Sequence, residues 1–443
     1  MKPQHHTSER GQALVLIVFA MVALLGFAAL AIDGGMMYAD RRHAQNAADA
    51  ASLAGGATAA KYMEANYIFY ENFNCSGNIV PALTKAETAA ISRAGDNGFS
   101  MVKDTSAPTW VDATCYQGSN YFAEKYIDIK TQVEAETNTS LIHFVFQGPV
   151  KNTVDATTRF KPRRFLAFGN AIVALNTDNC SGNDNGVMFS GSSQTQVTGG
   201  GIFSNGCLRG NGTGFTVDVY GGDSVLYAGQ LSGTIQNINP PVGHLGETLP
   251  PDSYDVEEPD CDQVANFSSP VSRKNTSGLI PPGNYSEISL KGTAQLVGGG
   301  LYCMYGDFDS ANADLTIDES NGKHGVTIFL RTGSFLTSGN GVVDLRAPTY
   351  SPDPYPAIPG ILIYLADGNT GLAKLRGNSA SEYLGVVLAP SGRIDLAGTE
   401  DVNKTFHTQL IGYDVEISGN ALVDINYQGG ENYQKPATGS LHE

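Results

Sequence analysis

The sequence predicts an N-terminal transmembrane helix continuing into a small α+β domain, then a mainly β C-terminal region. The lead fold for that region is a right-handed parallel β-helix, with a β-sandwich as the alternative. Three observations carry this reading. Residues 12–32 are free of charge and long enough to span roughly 30 Å as a helix. Beyond them an alanine stripe keeps helical spacing. After Phe165 the chain turns to glycine, serine, asparagine and short β-rich runs punctuated by turn signals.

Residues 1–10 are expected in the cytoplasm and residues 11–33 in the membrane. Lys2, Arg10 and the α-amine face a single Glu9 on the near side, whereas Asp33 and Asp40 come first on the far side. Arg41 and Arg42 pull the other way. A cleaved secretory signal has an apolar core of about 7–15 residues, shorter than this one, and Ala29-Leu-Ala31 is the stretch that reads as an exit site. The expected location is a single pass through the cell (inner) membrane, with the C-terminal body extracytoplasmic.

Residues 34–164 form the first domain. From residue 36 to about 71 the pattern is helical, and Ala44, Ala47, Ala48 and Ala51 recur at the spacing of one helix face. So narrow a stripe admits another helix closely, making these four residues a candidate seam for a partner helix; the alternative is that they pack on the chain's own later strands. Residues 126–134 alternate apolar and polar as a half-buried strand does, and 151–160 read as a second strand. Between them lies the apolar run 141–146, in which His143 reads as a packed, hydrogen-bonded residue.

The order of motifs here supports a resemblance. Arg10-Gly-Gln-Ala-Leu14, the apolar span, Ala31-Ile-Asp-Gly-Gly35, Tyr38-Ala-Asp-Arg-Arg42 and Gln45-Asn-Ala-Ala-Asp-Ala-Ala-Ser-Leu-Ala-Gly55 resemble the N-terminal segment of TadG-like proteins of the tight-adherence (Tad/Flp) pilus assembly machinery. The resemblance covers about the first sixty residues. It implies a membrane-anchored protein acting beside or within a surface pilus and connected with adhesion, and it implies no catalytic residue. Residues 4–8 ahead of Glu9 lack the glycine that marks processed pilins, so prepilin-peptidase processing is not implied.

The β-rich part repeats itself. Residues 191–203 (GSSQTQVTGGGIF) return two residues shorter at 292–302 (GTAQLVGGGLY), and 338–345 (SGNGVVDL) return at 418–425 (SGNALVDI), with a fainter copy at 391–396 (SGRIDL). Short strands with glycine–asparagine corners are what stacked rungs require, each hiding its apolar face against its neighbours. The expected blocks are 165–239 and 278–428. Between them lies a proline- and acid-rich excursion, 240–277, and after them a disordered tail, 429–443.

The chemistry is sparse. Six cysteines stand without zinc-type spacing; in an exported chain they pair, and closing local loops gives Cys75–Cys115, Cys180–Cys207 and Cys261–Cys303, against the alternative of buried thiols. Asp252, Asp255, Glu257, Glu258, Asp260 and Asp262 cluster, but adjacent acids on a proline-rich segment are ordinarily solvated rather than catalytic. Asp307, Asp309, Asn312 and Asp314 are candidate calcium ligands, as is the segment 178–185, with Asx turns as the alternative. No other cofactor is expected. A net charge of −17 argues against nucleic acid. The expected partners are therefore the membrane, pilus-assembly proteins and a surface glycan. The expected function is structural or adhesive and not enzymatic, with a glycan-binding or glycan-cleaving β-helix enzyme as the alternative.

Overall fold

The computed structural model describes residues 12–139, 148–181, 186–264, 269–349, 357–376, 378, 380–397, 406–420 and 422–442. Residues 1–10 and the run 141–146 with His143 lie outside them. The chain divides into two compact units, one of Met1–Arg163 with Pro436–Glu443 and one of Arg164–Lys435.

The first unit is built on helix α1 (Gln12–Ala65), whose 54 residues contain no proline. Its apolar first half is bare: the large side chains from Leu14 to Ile32 are all exposed, Phe27 to 73%. Among the described residues this is the one helix long and apolar enough to cross a membrane. The second half carries the alanine stripe into a core. There α1 packs against helix α2 (Val80–Asp96) and an antiparallel sheet of strands β1 (Trp110–Gln117), β2 (Lys125–Thr137) and β3 (Val150–Lys161). Pro81 in the first turn of α2 suits the fixed φ of a helix start. The helix then buries Ala82, Ala86, Ala90 and Ala94, one per turn.

Close approach explains Gly55 on α1. A Cβ there would stand 2.9 Å from Ile129 Cγ2 and 3.0 Å from the Ala86 carbonyl, so α1 can sit between β2 and α2 only because it has no side chain at that point. Thr131 Oγ1 donates to the Ala48 carbonyl at 3.0 Å, and Thr158 to Ser52 Oγ at 2.9 Å, satisfying hydroxyls inside the helix–sheet layer. On the other face Arg159 forks onto Asp128 with two 2.9 Å bonds and lies 3.7 Å over the Tyr126 ring. The Cys75–Cys115 disulfide ties the α1–α2 connection to β1.

The tail expected to be disordered is ordered instead. Thr438–His442 forms the fourth strand of this sheet, antiparallel to β3 with Ser440 opposite Arg159 and His442 opposite Thr157.

The second unit is mainly β, and almost all its strands pair in parallel, which the antiparallel β-sandwich does not supply. One ladder runs from Gly300–Tyr305 to Val326–Thr332, then Ile361–Leu365, Glu382–Ala397 and His407–Ser418. It continues into Ile172–Ala174, Ile202–Ser204, Val225–Tyr227 and Gly243–His244. The two expected blocks are thus one ladder, and the later block in sequence precedes the earlier one in space. They join where Leu410 pairs with Ile172.

The repeats mark equivalent places on this ladder. In 191–203 and 292–302 a strand ends, a glycine corner follows, and the next strand begins with a buried pair, Ile202–Phe203 or Leu301–Tyr302. In the other echo the buried pairs are Val343–Leu345, Ile394–Leu396 and Val423–Ile425. Corners demand glycine where rungs touch: Gly325 has φ +72°, and a Cβ on it would stand 2.2 Å from the Ala347 carbonyl. Polar side chains fill the remaining backbone bonds. Asn369 donates to the Leu330 and Gly333 carbonyls, and buried Gln409 to those of Leu166 and Asn170.

Inside, aromatic rings stack rung on rung. Phe308 on Phe335 has centroids 5.2 Å apart, and Tyr383 lies 5.7 Å from Phe406. Tyr302 and Tyr383 are fully buried, so these two tyrosines serve the packing of the ladder.

Candidate functional site

The proline- and acid-rich segment is a strap that returns along the second unit. Gly243–His244 ends one side of the ladder, and Val271–Ile280 pairs with Gly283–Val297 at the other. Between them the Leu249 N–H donates to Asn205 Oδ1 at 2.7 Å, and Asp252 takes Arg164 at 2.8 Å. Tyr364 donates to the Val256 carbonyl at 2.8 Å, and Asn284 to the Cys261 carbonyl at 3.2 Å. The Cys261–Cys303 disulfide fixes the far end. Leu249, Ser253, Val256 and Cys261 face inward while the acids face out, so the excursion is extended yet packed. Cys180–Cys207 closes the remaining loop of this unit, completing three bridges in sequence order.

This packing gathers carboxylates that the sequence leaves apart. Asp252 and Asp255 on the strap and Asp367 beyond Ile361–Leu365 open onto one cleft of about 400 Å³, walled also by Tyr254, Tyr364 and Pro390. Glu257, Glu258 and Asp260 line a neighbouring hollow of about 360 Å³ with Tyr433. Lys435 Nζ holds the strap by donating to the Asp252 and Asp255 carbonyls, at 2.6 and 3.0 Å. Burial pulls its pKa down, as does Arg164, while Asp255 and Asp252 oppose. Burial pushes the Tyr254 phenol up, helped by Asp367 and Asp255, and that of Tyr364 likewise, helped first by Glu258. Both phenols stay protonated at neutral pH, and the Tyr364 hydroxyl spends its proton on the Val256 carbonyl, holding the strap.

Asp262 lies beyond both hollows; its N–H donates to Asp260 Oδ1 at 2.9 Å. Asp367 and Tyr364 carry no sequence signal that joins them to the strap; only the fold does.

The calcium candidates are not gathered. Asp307 Oδ1 accepts the Ser334 N–H, Asp309 Oδ1 the Ala311 N–H and Asp314 Oδ1 the Val342 N–H, each at 2.8 Å, while Asn312 packs its side-chain oxygen against Gly339. These oxygens serve corners and neighbouring rungs. Among the described residues no group of three or more His, Cys, Asp or Glu is placed to hold a metal ion. Of the second candidate segment, residues 182–185 lie outside the described residues.

The alanine seam is taken. Ala44, Ala47, Ala48 and Ala51 are fully buried in their own unit, so they pack on the chain's own elements and offer nothing to a partner helix.

One polar group outside the strap is new. The faint copy 391–396 places Arg393 so that its guanidinium reaches Asp395 at 2.6 Å and Glu416 on the next rung, and Glu416 also accepts from Ser190 at 3.0 Å. Beside it Asp414 accepts the Gly186 N–H at 2.6 Å and the Asn176 amide at 2.9 Å; burial pushes its pKa up, against these two bonds. With every one of these groups spoken for, the network ties rungs together.

Comparison with known proteins places one part of the chain. Residues 11–59, nearly the whole of α1, match the Tad family, described as Putative Flp pilus-assembly TadE/G-like. No curated protein and no solved structure matches the chain.

Proposed function

We propose that the chain is a single-pass, membrane-anchored protein of a Tad/Flp-type pilus or cell surface, with both compact units extracytoplasmic. The second unit acts as a right-handed parallel β-helix that binds a surface glycan or an envelope partner without turning it over. The observation that carries this is the continuity of α1, whose bare apolar half runs unbroken into the half that seats the first unit and lies within the Tad match. Three disulfides suit an oxidising compartment. Parallel ladders with stacked buried columns are what a β-helix requires, and crossovers between parallel strands are right-handed in about 98% of cases.

Orientation is tested with Ser440→Cys, labelled by a membrane-impermeant maleimide on right-side-out membrane vesicles. Labelling of intact vesicles is the expected result; labelling only after permeabilisation reverses the topology and removes the basis for surface binding.

A glycan-cleaving reading is favoured by the cleft holding Asp252, Asp255 and Asp367. Exposed acids there contribute little to stability, and the bond from the Asp367 N–H to Glu258 at 3.0 Å contributes about 1 kcal/mol. The triple variant Asp255→Ala, Glu257→Ala, Glu258→Ala is therefore expected to fold and attach nearly as the parent, with no reducing sugar released by either. Sugar release that disappears in the triple variant establishes the enzyme instead.

A further inference from the structure

A short collar of residues on α1 separates its bare apolar half from the half that seats the first unit. The bare span from Leu14 to Ile32 is about 28 Å long at about 1.5 Å per residue, close to the hydrocarbon thickness of a bilayer. Tyr38, Arg41 and Arg42 follow it, all exposed, on a helix that continues without a break. Their Cα atoms stand about 9–15 Å beyond Ile32. Helical side chains lean toward the N-terminus, which here is toward the span, so the long arginine side chains reach back into the headgroup layer. The lean is visible in Arg42, whose guanidinium carbon lies 5.9 Å from the centre of the Tyr38 ring, one turn nearer the span.

The charge presented at this level is positive, because the neighbouring groups are engaged. Asp33, at the end of the span, is fully buried. Asp40 Oδ2 accepts from Thr137 Oγ1 at 2.7 Å, which turns that acid toward β2, and Glu136 beside Thr137 is held by Lys151 at 2.9 Å. His43 Nε2 lies 3.1 Å from the Asn97 carbonyl, against the unit's own chain. Arg41 and Arg42 form no ion pair with any described residue. Successive helical residues stand about 100° apart around the axis, so the two guanidinium groups face separate lipids.

We propose that Arg41 and Arg42 bind the phosphate groups of phospholipids in the leaflet next to the first unit, with Tyr38 holding Arg42 at that level. Anionic headgroups are favoured, since no amine offsets their charge. The contact fixes how deep α1 sits, and it accounts for two basic residues that run against the charge bias across the span. It rests on the reading that α1 crosses a membrane, and it is independent of the side on which the body lies.

The test uses the full-length chain in detergent micelles, titrated separately with phosphatidylglycerol and phosphatidylcholine, with bound lipid counted by native mass spectrometry. The parent is expected to retain phosphatidylglycerol in preference. Arg41→Gln and Arg42→Gln are each expected to weaken that retention about fivefold, and the double variant about twenty-five-fold. Arg93→Gln is expected to bind lipid as the parent does, since this exposed arginine on α2 already faces Asp96 at 3.9 Å. Equal retention by the double variant and the parent overturns the proposal. An equal loss in Arg93→Gln overturns it too, because it means attraction to the chain's basic groups at large. Flotation with phosphatidylcholine vesicles separates this failure from that of the underlying reading. A chain that floats yet shows no loss in the double variant keeps its span and lacks the headgroup site; one that stays at the bottom of the gradient has no span, and both readings fall.

Discussion

Replacing Cys261 and Cys303 together by alanine is expected to destabilise the second unit by about 4 kcal/mol, the chain-entropy value for a closed loop of this length. The bridge spans 42 residues of sequence, and both sulfurs are buried. The loss is concentrated in the strap. Without the bridge its far end keeps the bond from Asn284 to the Cys261 carbonyl and that from the Asp367 N–H to Glu258, while the near end keeps Arg164, Lys435 and Tyr364. Denaturant unfolding gives the total, and limited proteolysis gives the location, with cleavage expected first between residues 257 and 264. An unchanged midpoint with a protease-resistant strap shows that packing alone holds the segment.

Truncating Tyr383 is expected to cost about 3–5 kcal/mol, the range for deleting a buried aromatic ring. The ring is fully buried against Phe406, and its hydroxyl donates to the Arg376 carbonyl at 2.7 Å and meets Thr337 Oγ1 at 3.0 Å. Tyr383→Phe separates the two contributions, since it keeps the ring and leaves a buried carbonyl short of a donor, a loss of about 1–3 kcal/mol. Thermal unfolding of both variants decides the matter. Equal losses mean that the hydrogen bonds, and not the stacked column, hold this rung.

The elements legible in the sequence are those whose signal is apolar contrast. The bare span of α1 stands out as an unbroken charge-free run, and the alternation of β2 and the repeated buried pairs such as Val343–Leu345 and Val423–Ile425 stand out because large apolar residues recur at a fixed period. Helix α2 escapes because its buried face is alanine throughout, and so small an apolar side chain gives a weaker core signal than leucine or valine. The C-terminal strand escapes for a related reason: it buries no side chain, and backbone pairing leaves no pattern in the residues.

The acids of the strap are visible in the sequence, yet their companion Asp367 is not, since only the third dimension sets it beside Asp255. The cysteines are readable as local loops because each pair joins segments close in sequence. Rung order is not readable at all. Echoes identify rungs as equivalent, but an internal repeat does not say which copy lies next to which.

That order bears on how the chain is made. Ile172–Ala174 emerges early in synthesis, and Ile202–Ser204 soon covers one of its sides. Its other side waits for His407–Ser418, more than two hundred residues later, so the last seam to close is in the interior of the ladder. A nascent chain halted before residue 407 is therefore missing a keystone rather than an end piece. Its early strands stand with an open flank until His407–Ser418 has been made, which makes the arrival of that strand, and not the folding of the first half, the moment at which the body becomes safe from aggregation.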